Sequence, residues 1–220
     1  MAKLKEIPSI LTDLQREVLD SFFGEEAFRE NFYLTGGTAL SAFYLGHRLS
    51  DDLDFFTHAD TADFLWPFVQ RLEKEIPLVA VQRTPDFLRI RVRDELRVDF
   101  VRDVPFRVGV PFQKGTWRVD TLENILLNKV TTVLSRLDAK DYVDLYFLLK
   151  ERPERILSLL KEASQKDASV DPFTWSRLIG DVHTFETLPR MVLPLTLKEL
   201  VDFFEALQRT ILNSLKPSRR

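Results

Sequence analysis

Apolar positions near the start of the chain fall at Ile10, Leu11, Leu14, Val18, Leu19, Phe22 and Phe23. Steps of three and four predict a helix from Ser9 to about Glu30. Asn31 to Thr35 is short, apolar and aromatic, and reads as a buried strand. Gly36-Gly37 breaks the chain there. Thr38 is the expected N-cap of a helix through Leu45, with Gly46 as its stop. Leu53 to Phe56 predicts a second strand, and Asp60 to Glu75 another helix with Pro67 inside it.

Two longer strands follow, Leu78 to Arg83 and Phe87 to Arg102. In the second, Leu88, Ile90 and Val92 alternate with Arg89, Arg91 and Arg93. Leu96, Val98 and Phe100 then alternate with Arg97 and Asp99. Period-two alternation marks a β-hairpin with one wet face. Directly opposed residues share a face. An odd-length turn, Arg93-Asp94-Glu95, sets Ile90 against Val98 and Arg89 against Asp99, whereas a two-residue turn would mix the faces. The odd turn therefore puts Arg89, Arg91, Arg97 and Asp99 together.

Val104 to Lys114, with Pro105, Gly109 and Pro111, reads as a connector. Beyond it the pattern turns helical. Asp120 and Glu123 have capping-box spacing before Leu122, Ile125, Leu126, Val130 and Val133. Further helices are expected over Asp141–Leu149, Pro153–Ala163, Phe173–Gly180 and Thr196–Leu215. The expected fold is α+β: a small mixed sheet with flanking helices over 1–114, then an all-helical domain over 115–220.

Composition narrows the chemistry. The 220 residues contain no cysteine, which excludes disulfides, thiol catalysis and Cys-ligated zinc. His47, His58 and His183 lack helical i, i+4 spacing, which argues against a multi-histidine metal site; His47 and His58 are expected at the surface. The net charge of −3 excludes a uniformly basic nucleic-acid coat. No stretch has the length and apolarity of a signal sequence or membrane span, so a cytoplasmic protein is expected, with no membrane partner.

Asp52-Leu53-Asp54 is the first candidate for chemistry. On a strand both carboxylates share one face. They repel unless a positive group lies between them, and hard oxygen donors suit Mg²⁺. An isolated Asp-x-Asp is more often a solvated loop edge. Asp99 adds a third acid on another strand, with an ion pair to Arg89 or Arg97 as its alternative role. Leu34-Thr35-Gly36-Gly37-Thr38 runs from a strand through two glycines into a helix. Glycine permits close backbone approach, and a helix N-terminus favours anions. Such a turn suits a triphosphate, with the Thr38 hydroxyl as an added donor. It matches neither the dinucleotide-binding nor the Walker glycine pattern.

The order strand, Gly-Gly-Thr, helix, Asp-x-Asp strand, distant strand Asp resembles the polymerase-β-like nucleotidyltransferase superfamily. The run Phe32-Tyr33-Leu34-Thr35-Gly36-Gly37-Thr38-Ala39-Leu40 and the run Arg48-Leu49-Ser50-Asp51-Asp52-Leu53-Asp54-Phe55-Phe56 resemble the AbiEii/AbiGii-type nucleotidyltransferase toxin family. So does Lys129…Arg136…Lys140-Asp141-Tyr142-Val143-Asp144-Leu145-Tyr146. The resemblance implies that Asp52 and Asp54 bind two Mg²⁺ ions, with Mn²⁺ as the alternative, and that Asp99 is the third metal ligand or activates the nucleophile. It implies that Gly36, Gly37 and Thr38 hold the triphosphate, and that Arg48 and Ser50, in the family's Arg-x-Ser, bind nucleotide or brace the turn before the metal strand. Lys129 would reach nucleotide phosphates, and Asp141 would orient Lys129 or the nucleotide.

The implied activity is transfer of a nucleoside monophosphate from an NTP to an acceptor hydroxyl. RNA is the implied acceptor, with a tRNA 3′ end as one candidate, and a cognate antitoxin is the implied protein partner. A sugar-nucleotide glycosyltransferase using Asp-x-Asp is the enzymatic alternative. A non-catalytic nucleotide-binding module is the other. The early Gly-Gly-Thr helix argues against the first, and the presence of all three acids argues against the second.

Overall fold

The computed structural model describes residue 7 and residues 10–58, 62–74 and 76–216. The leading segment 1–6 and Ser9, Asp60 and Glu75, where two expected helices begin or end, lie outside these residues. The chain forms two compact units, Met1–Leu122 and Glu123–Arg220.

The first unit opens with α1 (Asp13–Gly24) and α2 (Glu26–Asn31). Thr12 caps α1, with Gln15 closing the capping box. Then come β1 (Phe32–Thr35), α3 (Gly36–Leu40) with a π-helical turn over Ser41–Leu45, β2 (Asp52–Thr57), α4 (Ala62–Leu72), β3 (Leu78–Thr84), β4 (Phe87–Val92) and β5 (Leu96–Arg102). Gly46 ends the π turn at φ 60°, the left-handed stop its position predicts. Two three-residue strands follow, β6 (Phe112–Lys114) and β7 (Trp117–Val119). The sheet has seven strands among the described residues, in the order β3-β4-β5-β2-β1-β7-β6. The pairs β2–β5 and β1–β7 are parallel and the others antiparallel.

The expected hairpin register is the one observed: Arg89 faces Asp99, Ile90 faces Val98 and Arg91 faces Arg97. Arg93 and Asp94, at φ 50° and 56°, make the odd-length turn. Register gives the sheet two unlike faces. One carries Leu34, Leu53, Phe55, Leu88, Ile90, Val98 and Phe100, all buried. Against it pack Phe22 of α1, Phe28 of α2 and Phe68 of α4, their rings 5.1 to 6.0 Å from Phe55 or Phe100 or from one another. This cluster is the use the chain makes of its many phenylalanines. Each buried aromatic is worth roughly 1.5–3 kcal/mol, so this face anchors the strands whose opposite sides carry the polar groups.

The hairpin β6–β7 lies within the stretch expected as a connector and its aftermath. Strands this short show no readable alternation, and Gly115 at φ 60° turns between them. The boundary expected at 114/115 falls inside this hairpin, and the contacts divide the chain after Leu122.

The second unit is helical: α5 (Leu122–Ser135), α6 (Ala139–Leu149), α7 (Ile156–Lys166), α8 (Pro172–Ile179) and α9 (Leu197–Ser214). Asp138, Asp171 and Thr196 cap α6, α8 and α9 with their side chains. Leu200, Phe204, Leu207 and Ile211 of α9 are buried at helical spacing. Trp175 is fully buried and donates its indole N–H to the Val130 carbonyl at 2.9 Å.

Candidate active site

The polar face of the sheet is built by alternation. Leu53 and Phe55 turn into the aromatic core, so Asp52 and Asp54 project together from the other side. The parallel β2–β5 register then places Asp54 beside Asp99 and Asp52 beside Arg97. Neighbouring strands lie about 4.8 Å apart, so the three acids occupy adjacent positions on one face. Tyr33 and Thr35 of β1 continue it, with Thr35 opposite Asp54.

Arginines neutralise this row. Arg89 forks onto Asp99, with Nε to Oδ1 and Nη2 to Oδ2 both at 2.7 Å. Hydrogen bonding to Asp99 holds the Arg89 guanidinium above its ordinary range, and the charges of Asp99, Asp52 and Asp54 add to it. Arg97 donates from Nη2 to Asp52, while its Nε stands 3.7 Å from Asp99 Oδ2. The ion pair anticipated as the alternative role of Asp99 is thus present. Among the described residues no group of three His, Cys, Asp or Glu is drawn together around a metal position.

The glycine turn lies against these acids. Gly36 has φ +71°, and a Cβ there would come within 2.2 Å of Asp54 Oδ2. A Cβ on Gly37 would come within 2.3 Å of Arg48 Nη2 and 3.1 Å of Ser50 Oγ. Gly36 is required by its left-handed backbone and this close approach, whereas a side chain at Gly37 would have to push aside the end of Arg48, which at 2% exposure lies beneath the turn. Two expectations change. The helix begins at Gly36 after Thr35, which makes no side-chain cap bond, so Thr38 is not the N-cap. The Thr38 hydroxyl instead donates to the Asp52 carbonyl. It fastens the helix to β2 and is not offered outward as a phosphate donor.

Asp120 is a member of this region that sequence reading placed only as a helix cap. It is fully buried and accepts from Thr35 Oγ1 and Arg107 Nη2, both at 2.8 Å. Its backbone N–H donates to the Leu34 carbonyl. It ties down the end of β1 immediately before the glycines. Nothing in its spacing from Glu123 distinguishes this role from capping. His47 also departs from expectation: it is fully buried, with Nδ1 3.5 Å from Ser41 Oγ, whereas His58 is exposed as expected.

The second unit holds its own charged cluster. Lys129 Nζ lies 2.7 Å from Asp141 Oδ1 and 2.6 Å from Asp144 Oδ2. Arg136 Nε lies 2.7 Å from Asp141 Oδ2. Both carboxylates are fully buried. Burial opposes ionisation of Asp141, but Lys129 and Arg136 outweigh it and hold the carboxyl below the usual range. Asp144 was not singled out from sequence; its i+3 spacing from Asp141 was the available signal.

The donor set of the first unit suits a divalent cation. It offers hard carboxylate oxygens from adjacent positions of one face, beside a turn stripped of Cβ atoms. The group a cation would have to displace from Asp52 is Arg97.

Comparison with known proteins adds to this geometry. The family model described as nucleotidyl transferase AbiEii toxin, type IV toxin–antitoxin system, matches residues 17–214. An uncharacterized protein of Aquifex aeolicus (strain VF5) is 27% identical over 164 residues, covering 71% of this chain and 76% of that one. A candidate nucleotidyltransferase of Helicobacter pylori superposes with a TM-score of 0.58 at 21% identity, over 93% of this chain and 97% of that one. JHP933 of Helicobacter pylori superposes with a TM-score of 0.56 at 23% identity, over 93% and 94%. At these identities the two superpositions establish the shared fold.

Proposed function

Because this chain belongs to the AbiEii nucleotidyltransferase toxin family, we propose that it transfers a nucleoside monophosphate from an NTP to an RNA hydroxyl, at the acid face of its sheet. The observation that carries this reading is the β2–β5 register, which sets Asp54 beside Asp99 with Gly36 closed over Asp54. A tRNA 3′ end is one acceptor of this kind, and the cytoplasm is where NTP and RNA meet.

In the reaction an acceptor hydroxyl gives up its proton, its oxygen bonds to the α-phosphorus, and the bond from that phosphorus to the bridging oxygen of the β-phosphate breaks, releasing pyrophosphate. The chain supplies position and charge, the main resources in phosphoryl-type transfer. Asp52, Asp54 and Asp99 would hold Mg²⁺, which stabilises the attacking and leaving oxygens when bound. Gly36 and Gly37 let backbone approach the triphosphate, with Arg48 and Ser50 holding the turn in shape. Thr38 acts at one remove, by fixing Asp52. Lys129 would meet nucleotide phosphates, and Asp141 would set its position and charge. Type IV membership further supports a cognate antitoxin that opposes growth inhibition.

Incubating the purified protein with total RNA and each α-labelled NTP tests this reading. One NTP is expected to label a defined RNA class in the presence of Mg²⁺. Absence of label from every RNA with every NTP would overturn it.

A further inference from the structure

The cations on the acid face are held in two different ways. Arg89 grips Asp99 with two matched hydrogen bonds, and Asp99 is only 8% exposed. Arg97 reaches Asp52 through one nitrogen, Nη2. Its Nε is buried and makes no hydrogen bond, the Asp99 oxygen at 3.7 Å being beyond reach. A buried donor without a partner carries a desolvation cost, so this seat satisfies the guanidinium incompletely. The register also sets Arg91 directly opposite Arg97, and like charges in that position repel. The Arg97 side chain is 42% exposed, which gives it a path to solvent.

We propose that Arg97 is a displaceable counter-cation of the acid site: it neutralises Asp52 when no divalent cation is bound and withdraws when one binds. The inference rests on the reading of Asp52, Asp54 and Asp99 as the cation-binding acids. Exchange replaces the single positive charge of Arg97 at Asp52 with the two of a divalent ion, beside Asp54 and Asp99. Arg97 is therefore a positioning residue that sets how readily the site loads, while Arg89 keeps Asp99 in place throughout.

The test is Mn²⁺ binding to nucleotide-free protein, followed by electron paramagnetic resonance. Arg97→Gln is expected to bind up to about fivefold more tightly than wild type, the weight of one exposed ion pair. Adding Asp54→Asn should abolish the binding. Arg91→Gln removes an equal charge from the same face without touching Asp52, and should stay within about twofold of wild type. Equal affinity in wild type and Arg97→Gln, with binding still dependent on Asp54, would overturn the role of Arg97 and leave the acid site standing. An effect of Arg91→Gln as large as that of Arg97→Gln would also overturn it, by reducing it to a general field. Absence of Asp54-dependent Mn²⁺ binding in every variant, even with an NTP added, would overturn the acid site itself. Wild type alone gives a second readout, independent of variant folding. The Arg97 Nε–H resonance is expected to move as Mg²⁺ is added, and a resonance unmoved at saturating Mg²⁺ contradicts the proposal.

Discussion

The sheet of the first unit and the helices of the second each gather aspartates and basic side chains, but they bury them to different depths. On the sheet, Asp52 and Arg97 are 21% and 42% exposed. Among the helices, Lys129 is 7% exposed and Asp141 and Asp144 are fully buried. An exposed pair costs little to part, because water and salt replace each partner. A buried cluster cannot lose one member without stranding the others in low dielectric. Under the proposal the sheet offers charge to exchange for a ligand, whereas the helical unit holds its charge in place. The same residue types serve both, and depth decides which.

Removing Lys129 tests the fixed side most severely. Lys129→Met is expected to cost about 3–5 kcal/mol of stability, because Asp141 and Asp144 are left without their shared ammonium. Urea unfolding measures it, and a cost near that of a surface substitution would erase the contrast. Gly36→Ala comes next, at about 1–3 kcal/mol for the left-handed backbone and the clash with Asp54. It should also disable transfer, since Asp54 must move. Thr38→Val should cost about 1 kcal/mol through loss of its bond to the Asp52 carbonyl, with a fall in activity that follows Asp52 rather than nucleotide affinity.

The most gradual effect is with pH. The Asp141 carboxyl is held below the usual carboxylate range, so the folded state binds this proton less readily than the unfolded chain does. Its stabilisation is complete above the ordinary carboxylate range and is lost as pH falls toward the depressed folded value. Acid unfolding curves should show a steeper loss in wild type than in Asp141→Asn, which has no such proton to take up.

Much of the sheet could be read from alternation. One buried face forces its register, so Arg89 against Asp99 followed from Ile90 against Val98. The β6–β7 hairpin escaped because three-residue strands carry no period. Asp120 escaped because its partners, Thr35 and Arg107, are distant in sequence or carry no pattern of their own. His47 and Thr38 were misplaced for one reason: a short polar side chain beside a turn looks solvated until the elements that bury it are assembled. The acids of the candidate site were legible as residues. Their present engagement with arginines, and the inward use of the Thr38 hydroxyl, depend on side-chain geometry that spacing does not encode.

The most direct measurement compares wild type and Asp54→Asn for transfer of α-labelled nucleotide to RNA, with and without EDTA, after circular dichroism has shown both proteins folded. Wild type should label RNA only with a divalent cation present, and Asp54→Asn should fall by about 10³-fold with its unfolding midpoint little changed. Undiminished labelling by a folded Asp54→Asn protein would contradict the assignment of the acid face as the site of chemistry.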